Sequence, residues 1–360
     1  MRSFSTLPRL ALAALLAVGL SACDSTGPGD DDGLTPSDST ATDADGGGVV
    51  TSQVTAFPVQ VDSLWGFMDR DGRLTVAPRF GAADEVFADR AAVREGALWG
   101  FARPNGTLAV PTQYVAVGRF TGALAPVRTD AGWGYVDAAG AEVVPPGYDA
   151  AQDMTEDRAA VRAGVLWGYV DAAGAVAVEP QFVDAGPFRA GLAAVETPDG
   201  WRYIDAAGAF AFGGTFAEAR AFSDVGLAPV REAGSETWKF IDRTGRIVLN
   251  TTFEGAQPFA EGYARVVQDG RTGLIGPGGD FLVVPKLAEA GAFSEGLAAA
   301  RFNDDWTYLR RDDGLVIDSP VYSSARPFRG GLAQVTRGSG DDLRTGYIDP
   351  RGDVVWEPSN

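Results

Sequence analysis

The sequence predicts an all-β protein built from about nine tandem copies of one short unit, and three observations predict it. An aromatic stretch, Leu64-Trp65-Gly66-Phe67-Met68-Asp69-Arg70-Asp71-Gly72, keeps returning along the chain. Tryptophans fall at Trp65, Trp99, Trp133, Trp167 and Trp201, 34 residues apart; Trp238 follows after 37, and Trp306 after a further 68, twice 34. Thr272-Gly273-Leu274-Ile275 fills the gap between them, and Thr345-Gly346-Tyr347-Ile348-Asp349 repeats the pattern near the C-terminus. A fixed period of this size marks a repeat architecture. Turn residues also punctuate every copy at hairpin spacing. Finally, no stretch of the mature chain sustains a 3.6-residue apolar period without a Gly or Pro breaking it, so no long helix is expected.

In chain order, Arg2 and Arg9 precede an apolar run from Leu10 to Leu20 that is too short to span a bilayer. Residues 1–22 therefore read as a cleaved export signal. It ends in Leu20-Ser21-Ala22-Cys23, which resembles the bacterial lipobox. The resemblance implies a diacylated Cys23 as the new N-terminus, and an extracytoplasmic protein anchored in the cell envelope. Each buried methylene of such an anchor adds roughly 0.8 kcal/mol, so several chains hold durably. Cys23 is the single cysteine, and once acylated it leaves no thiol for disulfide, metal or nucleophilic chemistry.

Residues 23–53 are mostly Asp, Ser, Thr, Gly and Pro with no Lys or Arg, and they read as a disordered acidic tether. Such a coil spans on the order of 30 Å, enough to lift a domain off a membrane surface. Asp30-Asp31-Asp32 lacks the Gly-turned loop of oxygen ligands of a calcium site and reads as solvated charge.

Residues 54–360 hold the repeats. In the copy that begins at Phe188, three apolar segments, Leu192–Val195, Trp201–Asp205 and Ala209–Phe212, are joined by connections of hairpin length. The unit reads as a three-stranded antiparallel meander. Asp69-x-x-Gly72, Asp137-x-x-Gly140, Asp171-x-x-Gly174, Asp205-x-x-Gly208, Asp242-x-x-Gly245 and Asp349-x-x-Gly352 place a carboxylate where it accepts from turn amides, and a glycine where φ is positive. Segments such as Ala77-Pro78-Arg79-Phe80 and Glu179-Pro180-Gln181-Phe182 read as connections able to take a short helical turn. On the strand Leu64–Met68 both alternating sets are apolar, so each meander is expected to be covered on both faces by its neighbours. Gly66, Gly100, Gly134 and Gly168 are expected to let the neighbouring layer approach closely.

The pattern Trp-Gly-[Phe/Tyr]-[Ile/Val]-Asp-x-x-Gly, followed by Pro and by Phe-x-x-Gly-Leu-Ala-x-Val as in Phe188–Val195, resembles the bacterial WG repeat, the WG-containing β-repeat family. The resemblance covers nearly everything after Pro58. It implies tandem β-rich repeats, often exported, with no general catalytic activity. Arg202, Lys239 and Thr307 depart from it at the Gly, and Gly276 and Arg310 at the turn Asp. Face-stacked three-stranded units are expected to form an open, curved solenoid; the alternative is a closed, propeller-like ring, whose blades usually have four strands. No strand is expected to be exchanged between the termini.

Little in the sequence carries chemistry. With no histidine, the Ser-His-Asp and Cys-His triads and imidazole metal sites are excluded. Adjacent carboxylates at Asp84-Glu85, Glu156-Asp157 and Asp304-Asp305 are the remaining acid/base candidates, but neighbours on a strand face opposite ways. Asp69-x-Asp71-Gly72 reads as turn capping rather than calcium binding. The expectation is no catalytic residue, no cofactor and no metal. Trp65, Trp99, Trp133, Trp167, Trp201, Trp238 and Trp306 read as core residues that lock units together; the alternative is an aromatic row for sugar rings. Without the export signal the chain has 28 basic against 48 acidic residues, a formal −20, which disfavours nucleic acid and anionic lipid surfaces. The expected function is a non-enzymatic, lipid-anchored envelope scaffold for a protein partner, with a carbohydrate or peptidoglycan binder as the alternative.

Overall fold

The computed structural model describes residues 54–317, 322–338 and 343–357. The chain divides into two units, Met1–Asp32 and Gly33–Asn360, and every described residue belongs to the second. The export signal, Cys23 and the tether lie outside the described residues.

The described residues are all-β and form nine small antiparallel sheets. The second sheet shows the pattern. Strands Ala82–Phe87, Arg90–Glu95, Leu98–Ala102 and Leu108–Tyr114, labelled a to d, follow one another as a meander. The unit thus has four strands, not the expected three. The addition is strand a, which shrinks to two residues in Ala116–Val117, Ala150–Ala151, Asp184–Ala185, Glu218–Ala219, Glu289–Ala290 and Ser324–Ala325. Two residues are too few to show a period-2 pattern, so this strand leaves no sequence signal. The first sheet, Phe57–Val61, Leu64–Met68 and Leu74–Phe80, consists of strands b, c and d alone. In the fifth and eighth sheets the outer segment is joined only by isolated bridges, Trp201↔Phe216 with Ile204↔Phe210, and Trp306↔Tyr322 with Leu309↔Val316. Ala77–Phe80 and Glu179–Phe182, read from the sequence as connections, are instead the second halves of the d strands Leu74–Phe80 and Val176–Phe182.

Nine sheets make nine interfaces, each filled by its own apolar cluster. Phe67, Phe80, Val86 and Val93 join the first sheet to the second, and Tyr169, Phe182, Phe188 and Val195 join the fourth to the fifth. The ninth cluster settles the architecture: Phe57, Val59 and Met68 of the first sheet pack with Leu332 and Tyr347 of the last. The Tyr347 hydroxyl also donates to the Pro58 carbonyl at 2.9 Å. Gly72 of the first Asp-x-x-Gly turn lies against Val355 on the last d strand, as Gly106 lies against Val76. The sheets are therefore blades of a closed nine-bladed propeller, and the open solenoid is corrected to the ring. The missed strand explains the error, because the three-stranded reading of the unit weighed against propeller blades, which typically have four. Among the described residues no strand is exchanged between the termini, as expected: the last blade runs from Ser324–Ala325 to Val354–Trp356 and the first begins at Phe57–Val61.

Burial on both faces follows the expectation. Strand b of the second blade, Arg90–Glu95, buries Ala91, Ala92 and Val93 together, although successive side chains point opposite ways. The strand-centre glycines serve a different neighbour from the one expected. A Cβ on Gly100 would stand 2.6 Å from the Val110 carbonyl oxygen and 2.7 Å from Pro111, both on the d strand of the same blade. The c–d register shifts at that point, between Trp99↔Tyr114 and Phe101↔Val110. The glycine thus makes room for a bulge in its own sheet, not for the next layer.

Candidate functional site

Each tryptophan stands on strand c across from an aromatic of strand d: Trp65↔Phe80, Trp99↔Tyr114, Trp133↔Tyr148, Trp167↔Phe182, Trp201↔Phe216, Trp238↔Phe253 and Trp306↔Tyr322. Where Thr272 replaces tryptophan, its partner shrinks to Leu287. Trp99, Trp167 and Trp238 are buried and the other four half-buried. Guanidinium groups cover several of them, Arg94 over Trp99 and Arg162 over Trp167 at 5.7 Å, and Arg220 over Trp238 at 4.7 Å. These rings fill the blades and do not form a continuous open platform.

The sequence missed a second aromatic system, which locks the blades. The residue two after each tryptophan is a fully buried Tyr or Phe, and after Trp99, Trp167, Trp201, Trp238 and Trp306 a Phe just ahead of strand b of the next blade packs on it. The centroids of Phe101 and Phe120 are 4.7 Å apart, those of Tyr169 and Phe188 4.9 Å, and those of Tyr308 and Phe328 4.8 Å. Where that residue is tyrosine, its hydroxyl donates across the interface: Tyr135 to Gln152 O and Tyr169 to Gly186 O at 2.7 Å, and Tyr203 to Arg220 O at 2.6 Å. Burial pushes these phenols well up from their ordinary pKa. The recurrence of Phe or Tyr at this place was visible in the sequence; the acceptor, in another sheet, was not.

The carboxylates singled out from the sequence are engaged by the fold. Asp84 accepts from Arg119 Nε at 3.0 Å, and Glu85 pairs with Arg329 at 3.2 Å. Both guanidinium groups lie over Phe87, at 4.9 and 5.2 Å. Burial pushes the Glu85 carboxyl up, with Arg329 opposing; burial lowers the Arg119 guanidinium, but Asp84, Glu85 and Asp153 together outweigh it and raise it. This cluster ties blades 2, 3 and 9 together, bridging past the three-stranded first blade. Glu156 accepts from the Ala190 and Gly191 amides at 2.7 and 2.8 Å, in the a–b turn of the following blade. Glu261 does the same for Glu295 and Gly296, and Glu295 for Gly330 and Gly331. Asp304, in a b–c turn, and Asp305, at the start of strand c, are exposed. The turn aspartates cap as expected; Asp171 Oδ1 accepts from Ala173 and Ala175 at 2.9 Å. Among the described residues, no group of three or more His, Cys, Asp or Glu is placed to hold a metal ion.

What remains open is the surface. Because the strands alternate in direction, a–b and c–d turns share one face of the ring, and Arg90 reaches across it to the Ala138 carbonyl at 3.1 Å. The b–c turns occupy the other face. They keep their place from blade to blade but not their residues: Asp62-Ser63, Gly96-Ala97, Asp130-Ala131, Gly164-Val165, Asp269-Gly270 and Asn303-Asp304. Val165 is 82% exposed. An open groove on this face is lined by Val115, Arg128, Asp130, Tyr148 and Asp149.

The fold and its repeat define a class, the repeat-built β-propeller. The profile of the WG containing repeat matches residues 65–99, 99–131, 133–164, 167–198, 238–271 and 273–306, and the chain belongs to that family. No curated protein matches it significantly. Among solved structures, one described as a crystal structure of the eukaryotic initiation factor is similar at TM-score 0.62 and 11% identity, over 85% of this chain and 96% of that one. Citrobacter koseri AztD aligns at TM-score 0.45 and 10% identity, over 84% of this chain and 94% of that one. At these identities the likeness to the first concerns the fold alone.

Proposed function

We propose that this chain is a non-enzymatic binding scaffold of the bacterial cell envelope, held at the membrane by lipid on Cys23 and carried clear of it by the acidic tether. One observation supports the reading above others: the interior repeats and the loops do not. Trp, Gly, the turn Asp and the interlocking Phe recur in blade after blade, while the b–c turns keep their position and change their chemistry. Variable loops on a constant, rigid frame suit recognition of a protein surface. The acidic balance of the mature chain favours a cationic partner and disfavours nucleic acid. Burial of Trp99, Trp167 and Trp238 weighs against the carbohydrate reading, since it breaks any continuous aromatic row.

The test is a pull-down from detergent-solubilised envelope with residues 24–360 as bait and a glycan array in parallel. The expected result is a reproducible protein partner, weakened by changes such as Val165→Glu or Asp130→Lys in the b–c turns, with a blank array. Glycan binding without a protein partner would overturn the reading and turn attention to the half-buried tryptophans.

A further inference from the structure

Near the b–c face, strands a, b and c of a blade set three side chains in a row, on the side of the sheet that the tryptophan occupies. In the eighth blade the row is Glu289, Arg301 and Trp306. Arg301 bonds Glu289 at 3.1 Å, and its guanidinium lies over the Trp306 ring at 5.9 Å. The sixth blade repeats the row as Glu218, Arg231 and Trp238, with the first two ion-paired. The second and fourth blades put alanine on strand a, and there too Arg94 and Arg162 lie over Trp99 and Trp167. Arginine is thus the middle member of the row, matched to an aromatic face on one side and, in two blades, to a carboxylate on the other.

The fifth blade breaks this rule. Its row is Asp184, Glu196 and Trp201, so a carboxylate stands where the others carry a guanidinium. Like charges directly opposite each other destabilise a sheet. The bases on adjoining strands are engaged elsewhere, Arg202 over Phe210 at 3.4 Å, Lys239 on Glu232 at 2.5 Å and Arg231 on Glu218. Among the described residues no guanidinium lies over Trp201, which is half-buried. A local rule broken without compensation inside the molecule is expected at a functional site. The row is also within reach of solvent. Asp184 and Glu196 are half-buried, and Val183, next to Asp184, is 46% exposed. Val165 and Leu166 stand exposed in the b–c turn of the preceding blade, on the same face.

We infer that the fifth blade takes an arginine side chain of the protein partner, its guanidinium held by the Asp184 and Glu196 carboxylates and laid over Trp201. Val165, Leu166 and Val183 then meet apolar residues that flank this arginine. The inference rests on the scaffold reading and gives its cationic partner a contact. Arginine is selected over lysine because the blades themselves use it at this place. Its planar fork also spans two carboxylates and stacks on an indole at once, which an ammonium group does not.

The experiment is an NMR titration of residues 24–360, which carry every described element, with N-acetyl-arginine amide as the probe and the lysine counterpart as the control. The readout is the Trp201 indole N–H, assigned with Trp201→Phe, together with the Asp184 and Glu196 amides. The expected result is a saturable shift at these three places with the arginine probe and weaker binding of the lysine one. Glu196→Gln should weaken the arginine probe about tenfold or more. Glu196→Arg gives the fifth blade the residue of the others and should abolish binding, and with it capture of the partner in the envelope pull-down. Asp184→Asn serves if that variant loses its β circular-dichroism signal. No shift at Trp201, a shift that survives Glu196→Arg in a folded chain, or equal binding of the two probes would each overturn the inference, and a partner still captured would leave the scaffold reading standing. A shift confined to this row with no partner captured would support the site and overturn the scaffold reading instead.

Discussion

At the residue scale, a single methyl group probes the tightest place in a blade. The carbonyl of Val110 and the backbone of Pro111 would stand 2.6 and 2.7 Å from a Cβ on Gly100. Neither can swing aside as a side chain can. Gly100→Ala should therefore destabilise the protein by about 1 to 3 kcal/mol, more than the about 0.4 to 1 kcal/mol gained by stiffening the unfolded chain. A lower urea midpoint at unchanged slope would register it; an unchanged midpoint would mean that the bulge yields. Arg202 and Thr307 hold the same place in the fifth and eighth blades, where the outer segment is attached only by isolated bridges. Lys239 holds it in the sixth blade, whose d strand Ile247–Phe253 is continuous, so a larger side chain alone does not loosen the d segment. The glycine was legible from its recurrence, but its reason was not. The sequence marks a strand centre that must be bare, and the bulge that crosses it comes from Pro111, eleven residues away.

At the element scale, strands a and b of a blade meet in one cross-strand pair whose charge varies. In the sixth and eighth blades Glu218 faces Arg231 and Glu289 faces Arg301, and both form ion pairs. In the fifth, Asp184 faces Glu196, two acids with no base between them. Burial and then Asp184 push the Glu196 carboxyl up from its ordinary range. The folded state thus holds that proton more tightly than the unfolded chain, and stability falls as pH rises from the ordinary carboxylate range through the raised value. Glu196→Arg should remove that slope and stabilise the protein by about 0.2 to 1 kcal/mol at neutral pH, read from denaturation midpoints across a pH series. Equal midpoints for the two proteins at neutral pH would show that the two acids do not repel. The b and c strands were legible from their apolar runs and the Asp-x-x-Gly turns from their spacing. Strand a was not, because Asp184–Ala185 offers two residues where a pattern needs at least four.

For the whole molecule, closure is the property least visible in the sequence. Apolar residues on both faces of Leu64–Met68 disclosed that each unit is covered twice, which an open stack and a ring satisfy equally. The choice between them rests on the rotation summed over nine blades and on what the two ends present to each other. Phe57 and Tyr347, 5.8 Å apart between centroids, reproduce at the seam the aromatic lock of the interior interfaces, and the Tyr347 hydroxyl reaches Pro58 as Tyr169 reaches Gly186. Among the described residues no strand crosses this seam, and side-chain contacts hold it. Identical chemistry at two interfaces makes an internal comparison. Tyr169→Phe removes one buried hydrogen bond inside the ring and should cost about 1 to 2 kcal/mol. If the ring is closed in solution, Tyr347→Phe should cost as much, because its hydroxyl gives up an equivalent acceptor at 2.9 Å. An open ring would leave that hydroxyl in water, and the seam variant would then unfold with the native protein while Tyr169→Phe did not. Equal losses in a chemical denaturation series require the first and last blades to be packed against each other.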